Sequence, residues 1–263
     1  MKSPKVVLIV NCFNSAEYLT DTIKSLSKQI YPFIKILCVD NLSSDNTIEI
    51  INKFKKNNKN IYLYKLRKHL PLVKARKKAL DYIKRNFIFD YFAFCDSDDM
   101  WTKEWISNLI KVSKGYELLY SNGYELYENV SSKKILKSVS SSLGGRKKDV
   151  FSSPVYFASA VFSKKILDNL GDTFFDSNLL FLYDVDLFLK LKNMNIKYIH
   201  ISNRMFYYRI HEKSLSNNNR LRIIKERFYI TRKHKLSIFI FLMKTIFYVT
   251  KINNISKLLI KFD

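Results

Sequence analysis

Four times in its first hundred or so residues the chain runs from a short apolar stretch into a segment with helical spacing, and this alternation restricts the fold more than any other feature. "KVVLIVNCF" leads into Ser15–Gln29, where Ala16, Leu19, Ile23 and Leu26 share a face. "FIKILCVD" leads into a helix expected from about Ser44 to Lys56, opened by the cap-forming "SSDNT". "IYLYKL" precedes a helix that begins after Pro71 in "LVKARKKALDYIKR", and "YFAFC" precedes one from Lys103 to Lys114. Apolar strands alternating with helices imply an α/β fold with a mostly parallel sheet covered on both faces. Ligands bind such sheets beyond the carboxyl ends of the strands. Asn11–Phe13, Asp40 and Asp96–Asp99 all lie at such ends and should line one crevice.

The rest of the chain is less regular. Tyr116–Glu128 reads as a strand or hairpin, and the polar, basic, Ser/Gly-rich 131–149 as a mobile loop. Residues 154–200 read as strand, helix, helix, strand. The chain then ends in two helical blocks, "RLRIIKERFYITRKHK" and an apolar, aromatic block with lysines at intervals. The purest apolar stretch there, Ile238–Met243, is too short to span a bilayer. An interfacial amphipathic helix and a helix packed on the domain both fit it. The division expected is a domain over 1–216 and a basic amphipathic extension over 217–263.

Charge narrows the partners. Lys and Arg number 46 against 23 Asp and Glu, a net of +23, in 263 residues. Residues 201–263 hold 14 of the bases and 3 of the acids. So concentrated a surplus points to an anionic partner: nucleic acid, an acidic membrane or a phosphorylated substrate. Cys12, Cys38 and Cys95 have no metal-ligand spacing, and their odd number does not make a disulfide framework. They read as small buried residues of a reducing compartment. The apolar run Val6–Val10 is too short for a signal peptide, so a cytoplasmic location is expected. No G-x-G-x-x-G occurs, which argues against a dinucleotide-binding dehydrogenase.

In "YFAFCDSDDMW" three carboxylates crowd the end of an apolar strand, where they repel one another and are costly to desolvate. A helix N-cap accounts for one of them. A hard divalent cation, Mg2+ or Mn2+, with water and phosphate oxygens completing its shell, accounts for the group.

At these residues the chain resembles the family-2 glycosyltransferases, which have the GT-A fold. The resemblance rests on "VVLIVNCFNSAEYLTDTIKSLSKQIYPFIKILCVDNLSSDNT", then "CDSDD" at the place of the Asp-x-Asp metal motif, "LFLYDVDLFLKL" and "YYRIHEKSLS", in that order over residues 5–216. It implies that Phe13, Asn14 and Glu17 border the base of a nucleotide and that Asp40 hydrogen-bonds it. It also implies that Asp96 and Asp98 hold the ribose and the metal that bridges the diphosphate. Asp99 would support them, Arg76 in "KARKKAL" would organise the crevice, and His211 would approach the metal or diphosphate. Asp184 would be the general base of an inverting transfer. Trp101, Tyr183 and Asp186 would contact the acceptor or brace the site. Tyr183 stands where the family usually has Glu, and Asn41-Leu42 where Asp-Gly is commoner.

The implied donor is a nucleotide-sugar, a UDP-sugar first. The implied acceptor is a glycan or lipid-diphosphate-linked hydroxyl of bacterial surface polysaccharide, met on the cytoplasmic face of the inner membrane. The basic C-terminal residues would lie on anionic membrane. Two other readings share parts of this pattern: a non-catalytic basic membrane- or nucleic-acid-binding module, and a nucleotidyltransferase. Nucleic acid is not expected as a partner, because the strand-end acids would repel its phosphates.

Overall fold

The computed structural model describes residues 3–128, 134–139, 153, 155–211, 219–239, 241–243 and 245. Four parallel strands form one half of the sheet: β1 (Val6–Cys12), β2 (Ile34–Asp40), β3 (Ile61–Lys65) and β4 (Tyr91–Asp96), in the order β3-β2-β1-β4. The short β5 (Met100–Trp101), β6 (Leu118–Glu128), β7 (Lys134–Val139), β8 (Val161–Ser163) and β9 (Tyr198–Ile210) extend it. From β4 the order runs on through β8, β6 and β9 to β5, and β7 pairs with β6. In this second half only β6 and β9 run parallel, so the sheet is mixed beyond β4.

Seven helices are described: α1 (Leu19–Ser27), α2 (Thr47–Asn57), α3 (Leu72–Asn86), α4 (Trp105–Lys111), α5 (Lys164–Leu170), α6 (Tyr183–Asn193) and α7 (Arg220–Lys233). Because strand side chains alternate between faces, β1 sends Val7 and Ile9 one way and Val6, Leu8 and Val10 the other. The first pair packs with α3, α5 and α6, and the second set with α1, α2 and α4. Both faces are thereby covered. The three cysteines are free and buried.

Two differences from the sequence expectations have clear causes. Helix α1 starts at Leu19 rather than Ser15, because the backbone N–H groups of Ser15 and Ala16 point sideways to Thr47 Oγ1 (2.8 Å) and Asp45 Oδ2 (3.0 Å). Residues 134–139, expected within a loop, form β7 at the rim of the sheet. Lys134 and Lys137 disguise that strand as polar loop, yet lysine is a common residue on sheet edges. The remainder of 131–149, the "EKSLS" end of the last motif and most of the second C-terminal block lie outside the described residues. Among the described residues no helix is long and apolar enough to cross a membrane.

Where β6 and β9 run side by side, the pairing shifts register at Ser121, Asn122 and Gly123. The Phe206 ring lies directly over Gly123, in the space a Cβ would occupy. Only glycine fits there.

Candidate functional site

The parallel registry brings the strand ends together: Cys12 pairs with Asp40 and Asn11 with Asp96. The loops after β1 and β2 are laced to each other. Asn14 Oδ1 accepts from the Ser44 N–H at 2.8 Å, and the Asn14 N–H donates to Ser43 Oγ at 3.0 Å. Asn14 and Leu42 both have positive φ, 47° and 65°. For Leu42 that backbone is strained, and it is one that glycine adopts freely. Asp40 is buried and accepts from the Ser43 N–H. Asn41 clamps the loop before α3 through both Leu70 backbone groups, at 2.7 and 2.9 Å. That loop sets His69 against the half-exposed Phe13 ring, centroids 4.4 Å apart. Glu17 is exposed in the turn before α1.

The acids after β4 receive three different treatments. Asp96 pairs with the guanidinium of Arg76, which is fully buried on the inner face of α3. Asp98 Oδ2 meets His211 Nε2 at 2.9 Å. Asp99 is fully buried, with Oδ1 accepting the Arg209 N–H at 2.9 Å. Burial, and after it the negative charge of Asp96, pushes the Asp98 carboxyl above its ordinary range, against the pull of His211. Burial followed by the charges of Asp98 and Asp96 pushes Asp99 up well further. Asp98 and Asp99 therefore ionise less readily than ordinary aspartates. The Asp96–Asp98 edge is partly exposed and built of hard oxygens, a donor type that fits a divalent cation. Among the described residues no group of three or more His, Cys, Asp or Glu side chains is placed to hold a metal by itself.

Arg76 links this cluster to α6. Its guanidinium lies 4.7 Å from the Tyr183 ring centroid, 4.8 Å from Phe157 and 5.3 Å from Phe94. Burial would lower its pKa, but Tyr183 and the Asp96 and Asp184 carboxylates hold it up. Burial also pushes the Tyr183 hydroxyl well up, so Tyr183 faces Arg76 as a neutral ring. Asp184 beside it is raised as well: burial is the largest cause, opposed by the Val185 N–H, Ser153 and Arg76. Asp186 points elsewhere. It is fully buried and meets His234 Nε2 at 2.8 Å, Lys233 at 2.9 Å and Lys190 at 2.7 Å. Trp101 lies beneath the site, stacked on Trp105, with its indole N–H donated to the Ala158 carbonyl at 2.8 Å.

Sequence reasoning passed over Arg209. Its guanidinium donates to the Asp98 carbonyl at 2.9 Å and covers the Tyr18 ring at 4.5 Å, while its backbone N–H holds Asp99. It stands inside "YYRIHEKSLS", so the signal was there. Tyr208, whose hydroxyl is pushed up by burial and then by Asp99, Asp96 and Asp98, lies in the same stretch.

The family profile Glycosyl transferase family 2 matches residues 7–171, well over half of the chain. The chain belongs to glycosyltransferase family 2. A 29% identity over 233 residues relates it to the Escherichia coli UDP-Glc:alpha-D-GlcNAc-diphosphoundecaprenol beta-1,3-glucosyltransferase WfaP, covering 84% of this chain and 83% of that one. Against TuaG of Bacillus subtilis the identity is 29%, over 47% of this chain and 48% of the relative, so the match spans about half of TuaG. Among solved structures, Staphylococcus aureus TarS 1-349 in complex with UDP-GlcNAc superposes with a TM-score of 0.68 at 20% identity, over 88% of this chain and 65% of that one. The Pyrobaculum calidifontis mannosyltransferase PcManGT, in complex with GDP-Man and Mn2+, superposes with a TM-score of 0.64 at 16% identity, over 89% and 64%. These likenesses show the GT-A fold of a family-2 glycosyltransferase.

Proposed function

We propose that this glycosyltransferase is an inverting enzyme that moves a sugar from a UDP-sugar to a hydroxyl of a glycan or lipid-diphosphate-linked acceptor in bacterial surface-polysaccharide synthesis. The observation that carries this reading is that one buried cation serves two carboxylates on different elements. Asp96 pairs with Arg76 at the end of β4, and the raised Asp184, on α6, also feels the charge of Arg76. One end is suited to hold a donor, and the other to take a proton. The kinship with WfaP over most of both chains supports the acceptor class, and TarS with its UDP-GlcNAc supports the donor class.

In this reading the base of the nucleotide enters between the loops after β1 and β2. Phe13, backed by His69, offers a ring face, Asp40 a hydrogen-bond acceptor, and Asn14 and Glu17 the border. Asp96, oriented by Arg76, takes the ribose, and Asp99 and Arg209 keep the acidic turn in shape. Asp96 and Asp98, with His211 hydrogen-bonded to Asp98, would hold a Mn2+ or Mg2+ ion that takes its remaining ligands from water and phosphate; when bound it would neutralise the charge that grows on a leaving diphosphate. Asp184 accepts the proton of the acceptor hydroxyl as it attacks the anomeric carbon from the side opposite the nucleotide. A carboxylate raised by burial is a stronger proton acceptor than an ordinary one.

The reading is tested by following UDP or GDP release from a panel of UDP- and GDP-sugars with Mn2+ and a lipid-diphosphate acceptor. Transfer from a UDP-sugar that Asp98→Ala abolishes is the expected result. Turnover without added divalent cation and insensitive to Asp98→Ala would overturn it.

The residues from α7 onward join exposed Leu221, Ile238 and Phe239 to a strongly basic stretch. This combination supports docking on the anionic face of the cytoplasmic membrane, where a lipid-linked acceptor is met. Phosphatidylglycerol vesicles should sediment the wild type and lose Phe239→Glu. Equal sedimentation of the two proteins would count against membrane docking.

A further inference from the structure

Every helix start leaves backbone N–H groups without partners inside the helix. Leu182 at the N-cap of α6 has no side chain that could satisfy them. The carboxylate of Glu226, from the middle of α7, takes the N-cap N–H and the two N–H groups before it. Its Oε1 accepts from the Leu180 N–H at 2.9 Å, and its Oε2 from Phe181 and Leu182 at 3.0 and 3.1 Å. Glu226 is 3% exposed, and Arg222 Nε lies 3.3 Å from it on the same helix. An anion at this place is favoured by the dipole of α6 as well as by the three donors.

The same helix grips the segment on either side of Asp184. Tyr229 and Lys233 reach Asp176 at 2.8 and 2.5 Å, and Lys233 and His234 reach Asp186. Ile230 and Phe241 pack with Leu179, Val185 and Leu189. Asp184 thus lies in a short stretch whose two ends are fixed by a helix more than thirty residues further along the chain.

We propose that Glu226 is a positioning residue for the transfer reaction: by holding residues 180–182 it sets the direction in which α6 presents Asp184. The basic helix α7 is on this view part of the transfer machinery as well as a surface element. The inference rests on the reading of Asp184 as the base. Its cause is geometric. A base must lie within hydrogen-bond reach of the proton it takes, and a misplacement of about 1 Å can cost about 100-fold in rate. Without the carboxylate three partly buried donors lose their partner and the turn before α6 must rearrange.

The test uses the full chain and three variants: Glu226→Ala, Glu226→Gln and Asp184→Asn. UDP affinity with Mn2+ is measured by calorimetry, and kcat by UDP release from the UDP-sugar that the wild type turns over. Glu226→Ala should lower kcat about 10- to 100-fold and leave the Kd for UDP within about 2-fold, because the nucleotide side is built on β1, β2 and β4. Glu226→Gln, which keeps one acceptor oxygen, should recover a good part of that loss. If Glu226→Ala does not fold, Glu226→Gln alone decides, with a several-fold lower kcat at unchanged UDP affinity expected. Wild-type kcat in the Glu226 variants, or a fall in UDP affinity that matches the fall in kcat, would overturn the positioning role. Wild-type turnover by Asp184→Asn would overturn the underlying reading of the base. An inactive Asp184→Asn beside fully active Glu226 variants would overturn this inference alone.

Discussion

Replacing Arg76 with methionine removes a charge from the centre of the molecule while nearly preserving its volume. Arg76 is fully buried, whereas the Asp96 side chain is 32% exposed. Breaking a wholly buried ion pair from one side costs about 3–5 kcal/mol. Here water can reach Asp96 and recover part of that, leaving about 2 kcal/mol. The rings of Phe94, Phe157 and Tyr183 lose a desolvated cation, worth about another 1 kcal/mol. A loss of about 3 kcal/mol in a chain of this size lowers Tm by about 6–12 °C. Urea unfolding followed by circular dichroism would measure it. The double variant Arg76→Met/Asp96→Asn should regain at least half of the loss, because it leaves no partly buried carboxylate without its cation. An Arg76→Met protein as stable as the wild type, or a double variant no better than the single, would refute the role of the pair.

Other outcomes follow from neighbouring features. Although burial opposes it, Asp186 is held down at about 2 by His234, Lys190 and Lys233. Its folded pKa is depressed, so its contribution of about 2 kcal/mol is present above about pH 4 and is lost as the pH falls toward 2. Urea midpoints measured against pH should show that slope in the wild type and not in Asp186→Asn. Asp184 is raised, so transfer should fail on the acid side at a pH above the ordinary aspartate range; a kcat profile with its acid limb at the ordinary value would contradict this. Gly123→Ala forces a methyl group into the Phe206 ring and should cost about 1–3 kcal/mol, again read by urea unfolding.

The parts of the fold that were legible in the sequence are those set by local pattern. Val6–Cys12 and Ile34–Asp40 declare themselves through unbroken apolar residues, and their ends mark the crevice because a parallel sheet aligns them. The three acids after Cys95 are conspicuous because an apolar run stops at them. The β6–β7 hairpin was obscured by lysines on an edge strand, and the delayed start of α1 by loop-to-loop hydrogen bonds with no sequence period. Leu42 is a different case. The sequence shows Leu where the family commonly has Gly, and the backbone keeps the positive φ that glycine would supply. Likewise Tyr183, in place of Glu, meets Arg76 with a ring face instead of a carboxylate. The clamp of Glu226 on residues 180–182 joins elements that only packing brings together, and no spacing along the chain announces it.

The central claim is that the acids after β4 bind the donor while a separate carboxylate on α6 takes the proton. Calorimetric titration of UDP with Mn2+, set beside transfer rates for Asp98→Ala and Asp184→Asn, tests it most directly. The expected result is that Asp98→Ala loses UDP affinity, whereas Asp184→Asn binds UDP as the wild type does and transfers no sugar. Loss of UDP binding in Asp184→Asn, or full transfer by either variant, would contradict it.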